Sequence, residues 1–286
     1  MLRMLRSATY IFIDGSYLLR QHLDVTSKWF GAHKQLDLRL AIRGLINANT
    51  SDYWIPDTST PHVERTITAF YYDCLVDEKK LNQTSEDHEK QVEQQSRRLE
   101  ELREVDDCHI RLGSLKGPKR KQKEVDVLIA VDMMAHAARG NMDKAILVTG
   151  DLDLRPAVEA LVQLGVSVKI VAYDKTTSTE LTWAASAYRR LGFEDLYGWT
   201  VAQTRAEFPL PRKKDFLPIV NGMKHLKEGS MNGERCTLYE SGEGYIVDFS
   251  RSKAIPSLSG HSFGHEFLDR LELYFLLAYQ EIRWDS

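Results

Sequence analysis

The sequence predicts an α/β protein built on a parallel sheet with helices on both faces. Two observations point there. Up to about Leu196, short apolar runs of strand length alternate with stretches of helical periodicity, the pattern of successive βα units. Two of the runs, Tyr10-Ile11-Phe12-Ile13 and Ala145-Ile146-Leu147-Val148, are apolar without interruption, as strands buried on both faces are.

Taken in order, the first strand is expected at Thr9–Ile13. It stops at Asp14-Gly15-Ser16, and Tyr17, Leu18 and Leu19 begin a helix over Tyr17–Leu23. A helix follows near Leu36–Ala48, then a strand at Thr66–Tyr72 and a long polar helix within Glu78–Arg103. Val92, Leu99 and Leu102 give that helix one narrow apolar stripe, so it is expected to cover the sheet with its other faces solvated. The next elements are a strand at Cys108–Leu112, a helix at Val125–Arg139 and the strand Ala145–Thr149. Past Pro156, the residues Val158, Leu161 and Val162 fall at helical spacing, so a helix is expected to Leu164. Gly165 then stops it before the strand Ser167–Tyr173, and a last helix of this region is expected at Ser178–Tyr188.

Acids stand where these runs end. Asp14 follows Ile13 directly. Asp151 and Asp153 follow Val148-Thr149-Gly150, one residue apart. Asp126 lies at the start of its helix in Lys123-Glu124-Val125-Asp126-Val127. In open α/β sheets, ligands bind outside the carboxyl ends of the strands. Carboxylates crowded there repel one another unless a cation lies between them, and a hard divalent ion with oxygen ligands suits that place. Asp14, Asp126, Asp151 and Asp153 are therefore expected to form a cluster for one or two Mg²⁺ or Mn²⁺ ions. Singly, an Asp after a strand is usually a turn residue or helix cap; the combination at several strand-to-helix junctions carries the metal reading. Asp132, six residues after Asp126, is turned about 240° round the helix and is expected to support the site or the fold without joining that face.

These residues resemble a known family. Ile11-Phe12-Ile13-Asp14-Gly15-Ser16, Lys123-Glu124-Val125-Asp126-Val127 and Val148-Thr149-Gly150-Asp151-Leu152-Asp153-Leu154 are similar, in order and spacing, to the NYN domain of LabA-like proteins in the PIN-like nuclease superfamily. The resemblance runs from about residue 8 to about residue 195. It implies a Rossmann-like α/β/α three-layer sandwich and metal-dependent cleavage of phosphodiester bonds, usually of RNA. The family acids fall on Asp14, Asp126, Asp151 and Asp153. Three positions depart from the family pattern: Tyr17 stands where Asn is common, Leu154 where Phe is common, and Trp183-Ala184-Ala185-Ser186-Ala187-Tyr188 has no acid.

Composition sets outer limits. An apolar fraction of 43% supports a sizeable core. A net charge of −3 means that nucleic acid has to be met by local basic patches. The first such patch is Lys116, Lys119, Arg120, Lys121 and Lys123, within eight residues that contain no acid. Gly117-Pro118 makes it a loop, and it leads straight into Asp126. Lys119, Arg120, Lys121, Lys123 and also Arg155 are the expected phosphate contacts, with Arg212-Lys213-Lys214 as further candidates. Three scattered cysteines lack metal-ligand spacing and suit a reducing compartment. The basic start is followed by too short an apolar stretch for a signal peptide, and no run reaches transmembrane length, so a cytoplasmic protein with no membrane partner is expected. A P-loop and a dinucleotide fingerprint are both absent.

The domain expectation is a nuclease-like domain over residues 1–198 and a small α+β region over 199–286. Pro209, Pro211 and Pro218 mark a connecting segment. Arg235–Tyr239 and Gly244–Phe249 read as a hairpin, and Glu266–Trp284 as an apolar end helix that packs on the first domain or the hairpin, or joins a second subunit or a protein partner. The functional expectation is a metal-dependent nuclease acting on RNA ahead of DNA. The alternative is a catalytically inactive module of the same fold that binds nucleic acid or protein.

Overall fold

The computed structural model describes residues 6–50, 64–76, 83–113, 123–215, 223–249, 255 and 257–285. The chain divides into two compact units, one of Met1–Asp24 and Gln35–Thr200, the other of Val25–Lys34 and Val201–Ser286.

The first unit runs β1 (Arg6–Asp14), α1 (Gly15–Phe30, whose end from Val25 belongs to the second unit), α2 (Leu38–Thr50), β2 (Glu64–Cys74), α3 (Ser85–Arg103), β3 (Cys108–Gly113), α4 (Lys123–Ala138), β4 (Lys144–Val148), α5 (Arg155–Gln163), β5 (Ser167–Ala172), α6 (Thr179–Ala184), β6 (Ala187–Arg190) and α7 (Phe193–Gly198). Its six strands form one sheet in the order β3-β2-β1-β4-β5-β6, and every pair in it is parallel. This is the order of a doubly wound sheet, which reverses direction between β1 and β4. The register Thr9↔Lys144 to Ile13↔Val148 places Asp14 and Thr149 side by side at that reversal.

The central strands read as continuous apolar runs because both their faces are covered. Ile11, Phe12, Ile13, Leu147 and Val148 are fully buried. One covering helix is α4, whose Val125, Ile129 and Met133 recur at four-residue spacing and are each 0% exposed. Burial of each such side chain is worth roughly 1.5–3 kcal/mol, enough to hold α4 on the sheet and with it the carboxylate of Asp126.

The turn from β1 into α1 is very tight. A Cβ on Gly15 would stand 2.6 Å from the carbonyl oxygen of Tyr72 and would also collide with the Tyr71 phenol, so only glycine lets the chain pass between Asp14 and β2.

Helix α3 differs in detail from its expected stripe. Leu102 is buried, but Val92 is exposed and the second buried position is Gln95. The Gln95 amide donates to the Cys74 carbonyl at 2.7 Å and to Asp73 at 3.3 Å, and accepts from the Val76 N–H at 2.9 Å. A buried amide with its partners supplied in this way costs little. The expected helix at Ser178–Tyr188 is cut short at Ala184, because Ala187–Arg190 pairs with β5 as a sixth strand.

The second unit contains α8 (Ala202–Glu207), β7 (Arg212–Asp215), β8 (Lys224–Met231), β9 (Glu234–Ser241), β10 (Gly244–Asp248), β11 (His261–His265), α9 (Leu268–Ala278) and β12 (Arg283–Trp284). The expected hairpin is present as β9–β10, within a six-stranded antiparallel sheet ordered β12-β8-β9-β10-β11-β7. Asn232, at a φ of 53°, and Gly233, at 79°, close the β8–β9 turn, the backbone that a two-residue hairpin loop favours.

The end helix is shorter than its apolar run, because Arg283–Trp284 leaves it to pair with β8. Its face packs on its own sheet: the Phe275 ring lies 5.4 Å from Phe249 and 5.2 Å from Phe263, and Leu271 and Phe275 are fully buried. Of the surfaces open to this helix, its own sheet takes Leu271 and Phe275, while Leu276 remains exposed. Among the described residues, no helix is long and apolar enough to cross a membrane.

Candidate active site

Asp14 closes β1 and is 5% exposed. One carboxylate oxygen accepts the Tyr17 backbone N–H at 2.9 Å, as a helix cap does, and the other accepts the Thr149 hydroxyl at 3.3 Å. Burial pushes its pKa up; the Tyr17 and Thr149 hydrogen bonds and the Arg20 guanidinium pull it back. Thr149 also accepts the Asp151 N–H at 3.2 Å, so one hydroxyl ties the ends of β1 and β4 together.

Asp151 and Asp153 are both exposed. The Asp151 side chain accepts the Asp153 N–H at 2.9 Å and caps a 3-10 turn over Leu152–Leu154.

Asp126, half-buried on the first turn of α4, supplies the fourth carboxyl. Its pKa is pushed up to about 6, first by burial and then by the charges of Asp14, Asp151 and Asp153. The four acids therefore share one electrostatic field, although they come from three separate parts of the chain. The same field reaches Cys74, whose thiol is pushed up to about 11 by burial first and then by Asp73, Asp126, Asp14 and Glu124. The donor chemistry fits a hard cation, since all four groups offer carboxylate oxygen. Among the described residues, no three His, Cys, Asp or Glu side chains are drawn together tightly enough to enclose a metal ion.

A raised carboxyl pKa carries a stability consequence. The folded chain holds the Asp126 proton more tightly than the unfolded chain, so the group's stabilising contribution is complete below the ordinary aspartate value of 3.8 and is lost as pH rises through about 6. Asp126→Asn is therefore expected to raise the melting temperature of the metal-free protein by about 2–4 °C at about pH 7.5, and to leave it unchanged near pH 4. Thermal melts in EDTA check this. An equal effect at both pH values would show that carboxyl repulsion is not the cause.

The other sequence candidates divide. Asp132 is engaged by other groups: it forms a two-point ion pair with Arg111 at 2.9 and 3.0 Å and accepts the Tyr72 hydroxyl at 2.9 Å, which fastens α4 to β2 and β3. Arg155 is held by Glu159 at 2.7 Å and Glu180 at 3.2 Å, so a phosphate would have to compete with two carboxylates for it. Lys123 opens α4, while Lys119, Arg120 and Lys121 lie outside the described residues.

Tyr17 is a spacer in the core. Its hydroxyl accepts the Tyr173 N–H at 2.9 Å and its ring lies over Gly150, so it braces the ends of β4 and β5. Leu154 is buried in the core, as a packing residue would be.

The structure adds one acid that sequence patterns did not single out. Asp73, near the end of β2, is 6% exposed and is hydrogen-bonded by Ser16, Gln95 and the Cys74 N–H. Burial raises its pKa. The available signal was an acid ending the apolar run Ala69–Tyr72, the same signal that marks Asp14.

The NYN domain family matches residues 8–192. The chain belongs to this family. NYN domains are part of the PIN-like nuclease superfamily, and the doubly wound sheet with acids at its reversal is the architecture expected of one. No curated protein matches the chain. A crystal structure of a protein of unknown function from Vibrio parahaemolyticus aligns with 70% of this chain and 100% of its own, at 16% identity and a TM-score of 0.47.

Proposed function

We propose that this NYN protein is a metal-dependent nuclease that hydrolyses phosphodiester bonds, with RNA as substrate ahead of DNA. The observation that supports it most is the shared field of Asp14, Asp126, Asp151 and Asp153 at the β1/β4 reversal, expressed in the raised pKa of Asp126. Asp14, Asp151 and Asp153 would hold Mg²⁺ or Mn²⁺, directly or through water, and Asp126 would complete the set or orient the attacking water. When bound, such an ion lowers the pKa of water and neutralises charge developing on the phosphate.

The chain's own residues prepare the site. Thr149 and the Tyr17 N–H hold the Asp14 carboxylate in one orientation. The Asp153 N–H does the same for Asp151. Lys119, Arg120, Lys121 and Lys123 precede Asp126 in sequence and would steady the substrate backbone.

Cleavage of a labelled single-stranded RNA with Mn²⁺ or Mg²⁺, against an EDTA control, tests the reading. Cleavage that survives EDTA would refute metal dependence, and bound but uncleaved RNA would leave a binding module of the same fold.

The basic loop is tested separately. Replacing Lys119, Arg120 and Lys121 with Ala is expected to flatten the salt dependence of RNA binding by roughly 2–3 units of log–log slope, if each cation neutralises one phosphate. Sequence preference should hardly change, because phosphate contacts position a strand without reading it. An unchanged slope would mean that the loop is solvated surface.

A further inference from the structure

The second unit holds a cavity of about 420 Å³, within the size range of sites for small ligands. Its walls combine three chemistries. Phe208, His265 and Phe267 supply aromatic surface over a buried Trp29, Arg212 and Arg270 supply guanidinium groups, and Glu207 and Glu266 supply carboxylates.

The aromatic part is already ordered. The Arg270 guanidinium lies 5.4 Å from the ring centres of both Trp29 and Phe208, and it donates to the Trp29 carbonyl. Trp29 in turn donates its indole N–H to the Phe208 carbonyl at 3.0 Å. The His265 ring stands 6.1 Å from Phe267, and Phe267 remains 54% exposed, a large ring left open to solvent where the cavity begins.

Arg212 lines this cavity and Lys214 follows on the same face of β7, the edge strand of the sheet; both are exposed, while Lys213 faces the other side with its ammonium over the Phe263 ring. Among the described residues Arg212 pairs with the acid Glu243, at 3.4 Å with both side chains largely exposed, and a surface pair of that kind contributes little and exchanges readily.

A purely basic groove would take any polyanion. Aromatic faces beside guanidinium and carboxylate groups suit a heteroaromatic ring that stacks, offers N–H donors at its edge and carries a phosphate. We propose that this cavity is a nucleobase site, receiving one unpaired base of a single-stranded nucleic acid whose adjoining phosphates lie along Arg212 and Lys214. A base held in a duplex cannot enter such a cavity, so the site selects single strands. The inference rests on the nuclease reading only in taking RNA as its probe.

The test is a titration of a short labelled single-stranded RNA onto the full chain in EDTA, comparing wild type with Phe267→Ala. Phe267 is largely exposed, and a circular-dichroism melt checks that the variant is folded. Removing one stacking ring is expected to weaken binding by about fivefold to a hundredfold. An abasic strand of the same length should bind the wild type comparably weakly and be indifferent to Phe267→Ala. Arg212→Ala is expected to lower the log–log salt slope by about 1.

Equal affinity of wild type and Phe267→Ala, or of RNA and the abasic strand, would overturn the proposal. Cleavage is read separately with Mn²⁺. A protein that cleaves but binds without regard to Phe267 loses the base site and keeps the nuclease. One that binds through Phe267 but never cleaves does the reverse.

Discussion

Asp151→Asn is expected to lower the rate of RNA cleavage on the order of a hundredfold or more while the protein stays folded. The substitution removes a charge that the proposed cation needs, and each tenfold in rate corresponds to only about 1.4 kcal/mol of lost transition-state stabilisation. The fold should survive because the amide keeps the oxygen that accepts the Asp153 N–H, and Asn caps a turn about as well as Asp. Initial rates with Mn²⁺, together with a melting curve, measure both effects. Asp14→Asn should behave alike in rate. Asp132→Asn is the control: its carboxylate is already engaged by Arg111 and the Tyr72 hydroxyl, so a milder loss is expected. A cleavage rate for Asp151→Asn within a few-fold of wild type would remove this residue from the site.

Leu271→Asp combined with Phe275→Asp is expected to unfold the second unit. Both side chains are 0% exposed, and Phe275 is in contact with Phe249 and Phe263 of the sheet. Losing a buried Phe side chain alone costs about 3–5 kcal/mol, and two unpaired carboxylates would add to that. The sum approaches the whole stability of an ordinary domain, about 5–15 kcal/mol. Hydrogen exchange on the full chain reads it out, with amides of β8 to β11 losing protection while those of β1, β4 and β5 keep theirs. Retained protection in β9 and β10 would show that α9 is dispensable to its sheet. Mn²⁺ binding that vanished although β1 and β4 stayed protected would show that the site depends on the second unit, contrary to the ligand set proposed.

Much of the first unit was legible because its signals are local. A strand covered on both faces has to be apolar throughout, so Ile11–Ile13 and Ala145–Val148 announce themselves, and the first polar residues after them mark the ligand-binding end of the sheet. The acids Asp14, Asp151 and Asp153 were found by that rule. Asp73 obeys it too, but a single acid after a strand carries no more information than a turn, and only its burial beside Ser16 and Gln95 distinguishes it.

Local pattern was enough for the alternation of strands and helices, for the family, and for the carboxylates Asp14, Asp151 and Asp153 at strand ends. Only the tertiary structure decided that β1 lies between β2 and β4, and so that Thr149 bonds Asp14. It also decided that Tyr17 braces β5, that α9 covers its own sheet, and that the end of α1 shares a unit with Val201–Ser286. The physical reason is range. Periodicity and polarity report a residue's immediate environment, whereas strand order, helix docking and the edge strands β7 and β12 depend on pairings between distant segments that leave no mark on the local pattern.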